Sequence, residues 1–175
     1  LIDISRSWGD DIASVKAQAE GIVNAVFERS SDSRVSIITF NTLGEIFTVL
    51  EFTDQETVEQ RKSAALEGLA RVNVSDGGTE PVYGAILSSL NGDAGTFRTD
   101  PGVSRQIIVF TDEPPGDPDL RDQAIAKAQD LNAQVEEAQV AGALASPFIL
   151  QMAEPVQSSE LASASTLATE TTQPV

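Results

Sequence analysis

The sequence contains no cysteine and no histidine. Zinc sites, thiol nucleophiles and Ser-His-Asp triads are therefore excluded. A bound metal has to be held by oxygen, which points to Mg²⁺, Mn²⁺ or Ca²⁺. The missing cysteines also exclude a disulfide scaffold, although they leave the compartment open. Positive charge is scarce: 11 Lys and Arg stand against 27 Asp and Glu, a formal net charge of −16. Such a surface repels phosphate backbones and anionic membranes and favours cations or basic partners, so nucleic acid is not an expected partner. No apolar run approaches the roughly 20 residues of a membrane-spanning helix, so no direct membrane insertion is expected. An initiator methionine is also lacking, and Leu1 opens inside what reads as a strand. The chain is expected to be part of a larger multidomain protein, and the lack of a leader says nothing.

What is present suits one domain with a sizeable core: 175 residues, 41% of them apolar. Leu1 to Ile4 reads as the end of a buried strand. Ile12, Val15, Ala19, Ile22, Val23 and Val26 then recur at helical spacing, with Asp10 or Asp11 available as the cap. Val35 to Phe40 and Glu45 to Phe52 read as two strands whose connection is too short for a crossover helix, so they should pair antiparallel. Asp54 to Leu69 reads as a helix, and a second is expected to start near Glu80-Pro81 after the Ser75-Asp76-Gly77-Gly78-Thr79 loop. Gln106 to Phe110 is the clearest buried strand, followed by a helix from about Asp119; Pro147 to Met152 reads as a last, weaker strand. The alternation predicts an α/β fold, with a doubly wound, mostly parallel central sheet, one antiparallel edge hairpin and helices on both faces. Ligands of such sheets bind beyond the carboxyl ends of the strands. Asp3 and Asp112 each follow a strand directly, and the Thr79 loop can reach the same edge.

Five oxygen donors thus converge: Asp3, Ser5, Ser7, Thr79 and Asp112. The pieces that carry them are Asp3-Ile4-Ser5-Arg6-Ser7, Gly77-Gly78-Thr79 and Ile107-Ile108-Val109-Phe110-Thr111-Asp112. In order and spacing this resembles a von Willebrand factor type A (VWA) domain, whose metal-ion-dependent adhesion site (MIDAS) is written D-x-S-x-S, a distant Thr and a distant Asp. The resemblance covers about residues 1–153, with a truncated first strand and a Rossmann-like fold implied; residues 154–175 are a weakly patterned end or a Ser/Thr/Ala-rich linker. It implies a bound Mg²⁺, with Mn²⁺ or Ca²⁺ as alternatives, held by those five residues and completed by an Asp or Glu carboxylate of a protein partner. It implies a binding module and no turnover. Two carboxylates and neutral hydroxyls leave a hard cation short of neutrality and still electrophilic.

Taken singly, these residues have plainer readings. Asp3 and Asp112 serve as turn residues, Ser5 and Ser7 as loop hydroxyls, Thr79 as a helix cap. Asp10 and Asp11 resemble the adjacent acids that bind a second cation in integrin β-chain domains, but helix capping explains them as well. Asp93, Asp100, Asp117 and Asp119 read as solvated loop charge, and Trp8 reads as a lid over the metal, a piece of interface or a side chain packed under the first helix. Two alternatives to a binding module stand. One is a metal-dependent hydrolase or phosphoryl-transfer enzyme, which would want a second acid where Ser5 stands. The other is a metal-free scaffold domain. An extracellular or cell-surface location is the expectation, from the acidic, Cys-free composition.

Overall fold

The computed structural model describes residues 1–138. In chain order it holds β1 (Ile2–Asp3), α1 (Ile12–Arg29), β2 (Ile37–Thr42), β3 (Glu45–Leu50), α2 (Val58–Arg71), α3 (Val82–Asn91), β4 (Arg105–Val109), α4 (Arg121–Asp130) and β5 (Ala133–Glu137). Short 3-10 turns at Arg6–Asp11 and Pro118–Leu120 lead into α1 and α4.

β1 runs parallel to β2, with Ile2 opposite Thr39 and Asp3 opposite Phe40. β3 returns antiparallel through a tight turn in which Gly44 takes a left-handed φ of 84°. This is the hairpin expected from the short connection. β4 and β5 pair parallel, Arg105 with Ala133 through Val109 with Glu137. A parallel bridge from Ile2 to Phe110 joins the two sets. It is reinforced by the Asp3 amide donating to the Phe110 carbonyl and the Phe110 amide donating to that of Leu1, each at 2.9 Å. The spatial order is therefore β3-β2-β1-β4-β5. The chain winds outward from β1 in one direction and from β4 in the other, so the topological switch point lies between them.

Alternation along β4 splits the interior into two cores, because successive strand residues face opposite sides. Ile107 and Val109 pack with Val82, Ile86 and Leu90 of α3 and Ala124 and Ala128 of α4. Ile108 and Phe110 face Val15, Val23 and Phe27 of α1 and Ala65 and Leu69 of α2. Each fully buried large side chain contributes about 1.5–3 kcal/mol, and the two layers clamp the sheet from both faces. α1 buries Val15, Ala19, Val23 and Phe27, one residue per turn. α2 starts on a capping box, Thr57 and Gln60 each satisfying the other's amide, rather than at Asp54. Gly68 lets α2 press onto the sheet, where an added Cβ would stand 2.9 Å from Ile37 Cδ1.

The strand β5 is not foreseen by the sequence reading: Ala133 and Val135 are its only buried residues, too sparse a pattern to register. The expected strand over Pro147–Met152, the boundary at 153/154 and the Ser/Thr/Ala-rich end lie outside the described residues. Among the described residues, no helix is long and apolar enough to cross a membrane.

Candidate metal centre

Asp3 ends β1 at the switch point, and its side chain is fully buried. Its Oδ1 accepts the Ser5 amide at 2.8 Å, a local turn that Asp favours, and its Oδ2 accepts the Thr111 hydroxyl at 3.0 Å. The hydroxyls of Ser5 and Ser7 share a hydrogen bond at 2.7 Å, and Ser7 donates to Asp112 Oδ1 at 3.0 Å. A polar circuit therefore runs by hydrogen bonds from Thr111 through Asp3, Ser5 and Ser7 to Asp112, with only the covalent link between Thr111 and Asp112 completing it, and it joins residues from both sides of the switch point. It brings together four of the five residues singled out in the sequence. Ser5 is buried and Ser7 exposed, so the circuit rises from the sheet edge to the surface.

Thr79, the fifth, is exposed, and no hydrogen bond of its hydroxyl is formed among the described residues. Its loop is nonetheless tied to the circuit. The Ser75 amide donates to the Ile4 carbonyl at 2.7 Å, and Asn41 Nδ2 to the Asp76 carbonyl at 3.0 Å. Gly77 lies so close to Asn41 that an added Cβ would meet its carbonyl oxygen at 2.4 Å. Thr79 is not the cap of α3; Pro81 occupies that position.

Two acids outside the five-residue pattern lie here. Glu80, which the sequence places at a helix entrance, has a side chain 2% exposed, and its Oε1 has no hydrogen-bond partner among the described residues. The signal available was an acid wedged between Thr79 and Pro81, next to a candidate ligand. Asp117 corrects the reading of solvated charge. It is 3% exposed and accepts the amides of Tyr83 at 3.1 Å and Gly84 at 2.6 Å, closing the start of α3 from outside the helix. Trp8 is 1% exposed in the core formed with Ile4, Val15 and Val72, which leaves only the reading of packing beneath α1. Asp11 stands at the N-cap of α1 but makes no side-chain cap bond, so capping does not account for it.

The electrostatics are one-sided. Burial holds the Asp3 carboxyl up at about 6 against an ordinary 3.8; hydrogen bonds from Ser5 and Thr111 oppose this, and the nearby Asp112 charge adds to it. Burial raises Glu80 to about 7 from 4.5, helped by the charges of Asp3 and Glu113. Burial also pushes Asp117 up, against the Gly84 and Tyr83 amides. Among the described residues no ion pair involves these acids: those formed join Arg6 to Asp76, Arg98 to Asp32 and Arg121 to Asp122. Nor do three acidic side chains among the described residues sit ready to grip an ion by themselves. Hydroxyls have to complete any shell. A hard divalent cation suits such a donor set, and the unpaired buried acids supply the charge it needs.

The model of the von Willebrand factor type A domain matches residues 1–161. The chain belongs to that family. Among solved structures, the VWA chain is similar to BatB from Bacteroides thetaiotaomicron, with 24% identity over 78% of this chain and 62% of that one and a TM-score of 0.53. It is also similar to a von Willebrand factor type A protein from Catenulispora acidiphila, with 16% identity, 78% and 31% coverage and a TM-score of 0.58. A third neighbour is proximal thread matrix protein 1 of the mussel byssus with a zinc-occupied MIDAS motif, at 16% identity, 78% and 35% coverage and a TM-score of 0.57. At these identities the likeness establishes the fold. The domain spans between about a third and under two thirds of the length of these neighbours. No curated protein is detectably similar to it in sequence. The mussel protein bears on one exclusion made from composition: zinc occupies the motif there, so lack of Cys and His is too narrow a ground for excluding that ion from a VWA site.

Proposed function

We propose that this VWA domain is a protein-interaction module that works through a divalent cation. Asp3, Ser5, Ser7, Thr79 and Asp112 would hold the ion, with Mg²⁺ the first choice and Mn²⁺ or Ca²⁺ the alternatives. Bound there, the cation supplies an electrophilic position for an Asp or Glu carboxylate of a partner protein. The observation that carries the reading is the series of hydrogen bonds from Asp3 through Ser5 and Ser7 to Asp112, built beside buried acids that form no ion pair among the described residues.

The chain's residues divide the work. Asp3, in the sheet, fixes the Ser5 amide and so sets the turn that presents both serine hydroxyls. Thr111 holds the other Asp3 oxygen and orients that carboxylate. Asp112, half-buried, faces the exposed side of the circuit, where a partner approaches. Family membership favours an interaction module over the hydrolase alternative. The zinc-occupied motif of the mussel neighbour supports metal loading in general. An extracellular or surface setting remains part of the proposal, supported by the acidic, Lys-poor composition.

Thermal melting tests it. Ligand that binds only the native state stabilises it by about 2.7 kcal/mol at a hundred times its Kd. Mg²⁺ or Mn²⁺ should raise the Tm over that in EDTA, and Asp3→Ala should abolish the rise. Equal melting of the unaltered chain with and without metal would discard the reading.

A further inference from the structure

Glu80 stands outside the five-residue pattern, and among the described residues it forms no ion pair. Its carbonyl accepts the Gly116 amide at 2.8 Å and the Val82 amide at 2.9 Å, so its backbone is pinned between α3 and the loop after Asp112. That pinning turns the side chain inward, where it is 2% exposed and where Oε1 lacks any donor. Its neighbours are acids: the charges of Asp3 and Glu113 both act on it, and Glu113 shares a hydrogen bond with its side chain. The Arg and Lys residues that form ion pairs among the described residues do so elsewhere. Buried carboxylate oxygens are satisfied in folded proteins by a donor or a cation. Among the described residues the Glu80 side chain has only another acid, Glu113, as a hydrogen-bond partner, and Oε1 has neither donor nor cation.

We propose that Glu80 is a sixth member of the metal centre, its free oxygen accepting a hydrogen bond from a water on the bound cation and its charge strengthening the hold on the ion. The proposal rests on the metal reading above. An outer position suits the geometry, because no three acidic side chains among the described residues are placed to grip an ion directly. Carboxylates of this kind orient the inner ligands and raise affinity, and their loss typically weakens metal binding ten- to a hundredfold. Glu80 would also bind the Thr79 loop to the ion, since the two residues are adjacent and Thr79 has no other polar tie.

The test uses the full 175-residue chain with Mg²⁺ and Mn²⁺ as probes, titrated calorimetrically at pH 8, alongside melting in EDTA. Glu80→Gln keeps the shape and removes the charge. Its Mg²⁺ affinity should fall by about ten- to a hundredfold, while its Tm in EDTA rises, because an unneutralised acid has gone. Glu80→Asp keeps the charge and should recover part of the affinity. A purely structural Glu80 would behave in the opposite way: Glu80→Gln would bind Mg²⁺ as the unaltered chain does, and its Tm in EDTA would hold or fall. That result, with Asp3→Ala still abolishing binding, overturns the assignment of Glu80 alone. No binding by the unaltered chain overturns the metal reading itself.

Discussion

Gly116 lies directly beneath Thr79: a β-carbon added to Gly116 would stand 2.3 Å from the threonine Cγ2. The loop that follows Asp112 thereby touches the loop that carries the fifth candidate ligand, and the glycine hydrogen is what lets them meet. Gly116→Ala should displace Thr79, costing about 1–3 kcal/mol in stability as overpacking does, and should shrink the Mg²⁺-induced rise in Tm. Thr79→Ser keeps the hydroxyl and removes the methyl. Combined with Gly116→Ala it should restore the metal response; if the double variant stays as unresponsive as the single one, contact with Thr79 is not the reason.

Asp117 ties the same loop to α3 through the Tyr83 and Gly84 amides. Asp117→Ala leaves one buried and one partly buried donor unmet and should cost about 1–3 kcal/mol, read as a lower urea midpoint at unchanged m-value. Asp117→Asn retains an acceptor oxygen and should fall between. Equal midpoints for all three proteins would show that water replaces the carboxylate without loss.

The raised acids fix the sign of the pH dependence. Asp3 titrates at about 6 folded against 3.8 when unperturbed, and Glu80 at about 7 against 4.5. Each therefore binds its proton more tightly in the folded state. That stabilisation is complete below about pH 4 and is lost as pH rises through 6 to 7. For Asp3 alone the loss is on the order of 3 kcal/mol; the Glu80 contribution is not independent, since the two charges interact. The metal-free protein should accordingly melt lower at pH 8 than at pH 5, and the rise in Tm on adding Mg²⁺ should grow over the same interval. A metal-free Tm that climbs from pH 5 to 8 would contradict the arrangement of acids described.

Trp8 fills the core beneath α1. Trp8→Ala should cost about 3–5 kcal/mol. Trp8→Phe should cost less than about 1.5 kcal/mol, because Nε1 has no partner to lose. Circular dichroism melts check both, since these variants lack the only tryptophan.

Much of the fold was legible. The hairpin from Ile37 to Leu50 follows from a connection too short for a helix, and the buried run before Asp112 could only be a central strand. What escaped was weakly patterned. β5 has alternate buried residues but only Ala133 and Val135 to show for them. The start of α2 moved to Val58 because Thr57 and Gln60 cap each other better than Asp54 could. Trp8 was undecidable on the chain, since a large aromatic after a polar loop serves a lid or a core equally well; only packing against Val15 and Val72 chooses.

By itself the sequence determined the chemistry on offer: oxygen donors without thiol or imidazole, an excess of acid, and a D-x-S-x-S run whose local turn Asp3 can make from its own neighbours. Such features depend on residues close in the chain, so spacing reveals them. Tertiary structure alone decided which acids stand unanswered. Glu80 and Asp117 look like any helix-flanking carboxylates until the loop after Asp112 folds back onto the start of α3. One then meets two helical amides, and the other meets only acids among the described residues. Burial and the company of like charges arise only when distant segments pack, and no spacing of residues records them.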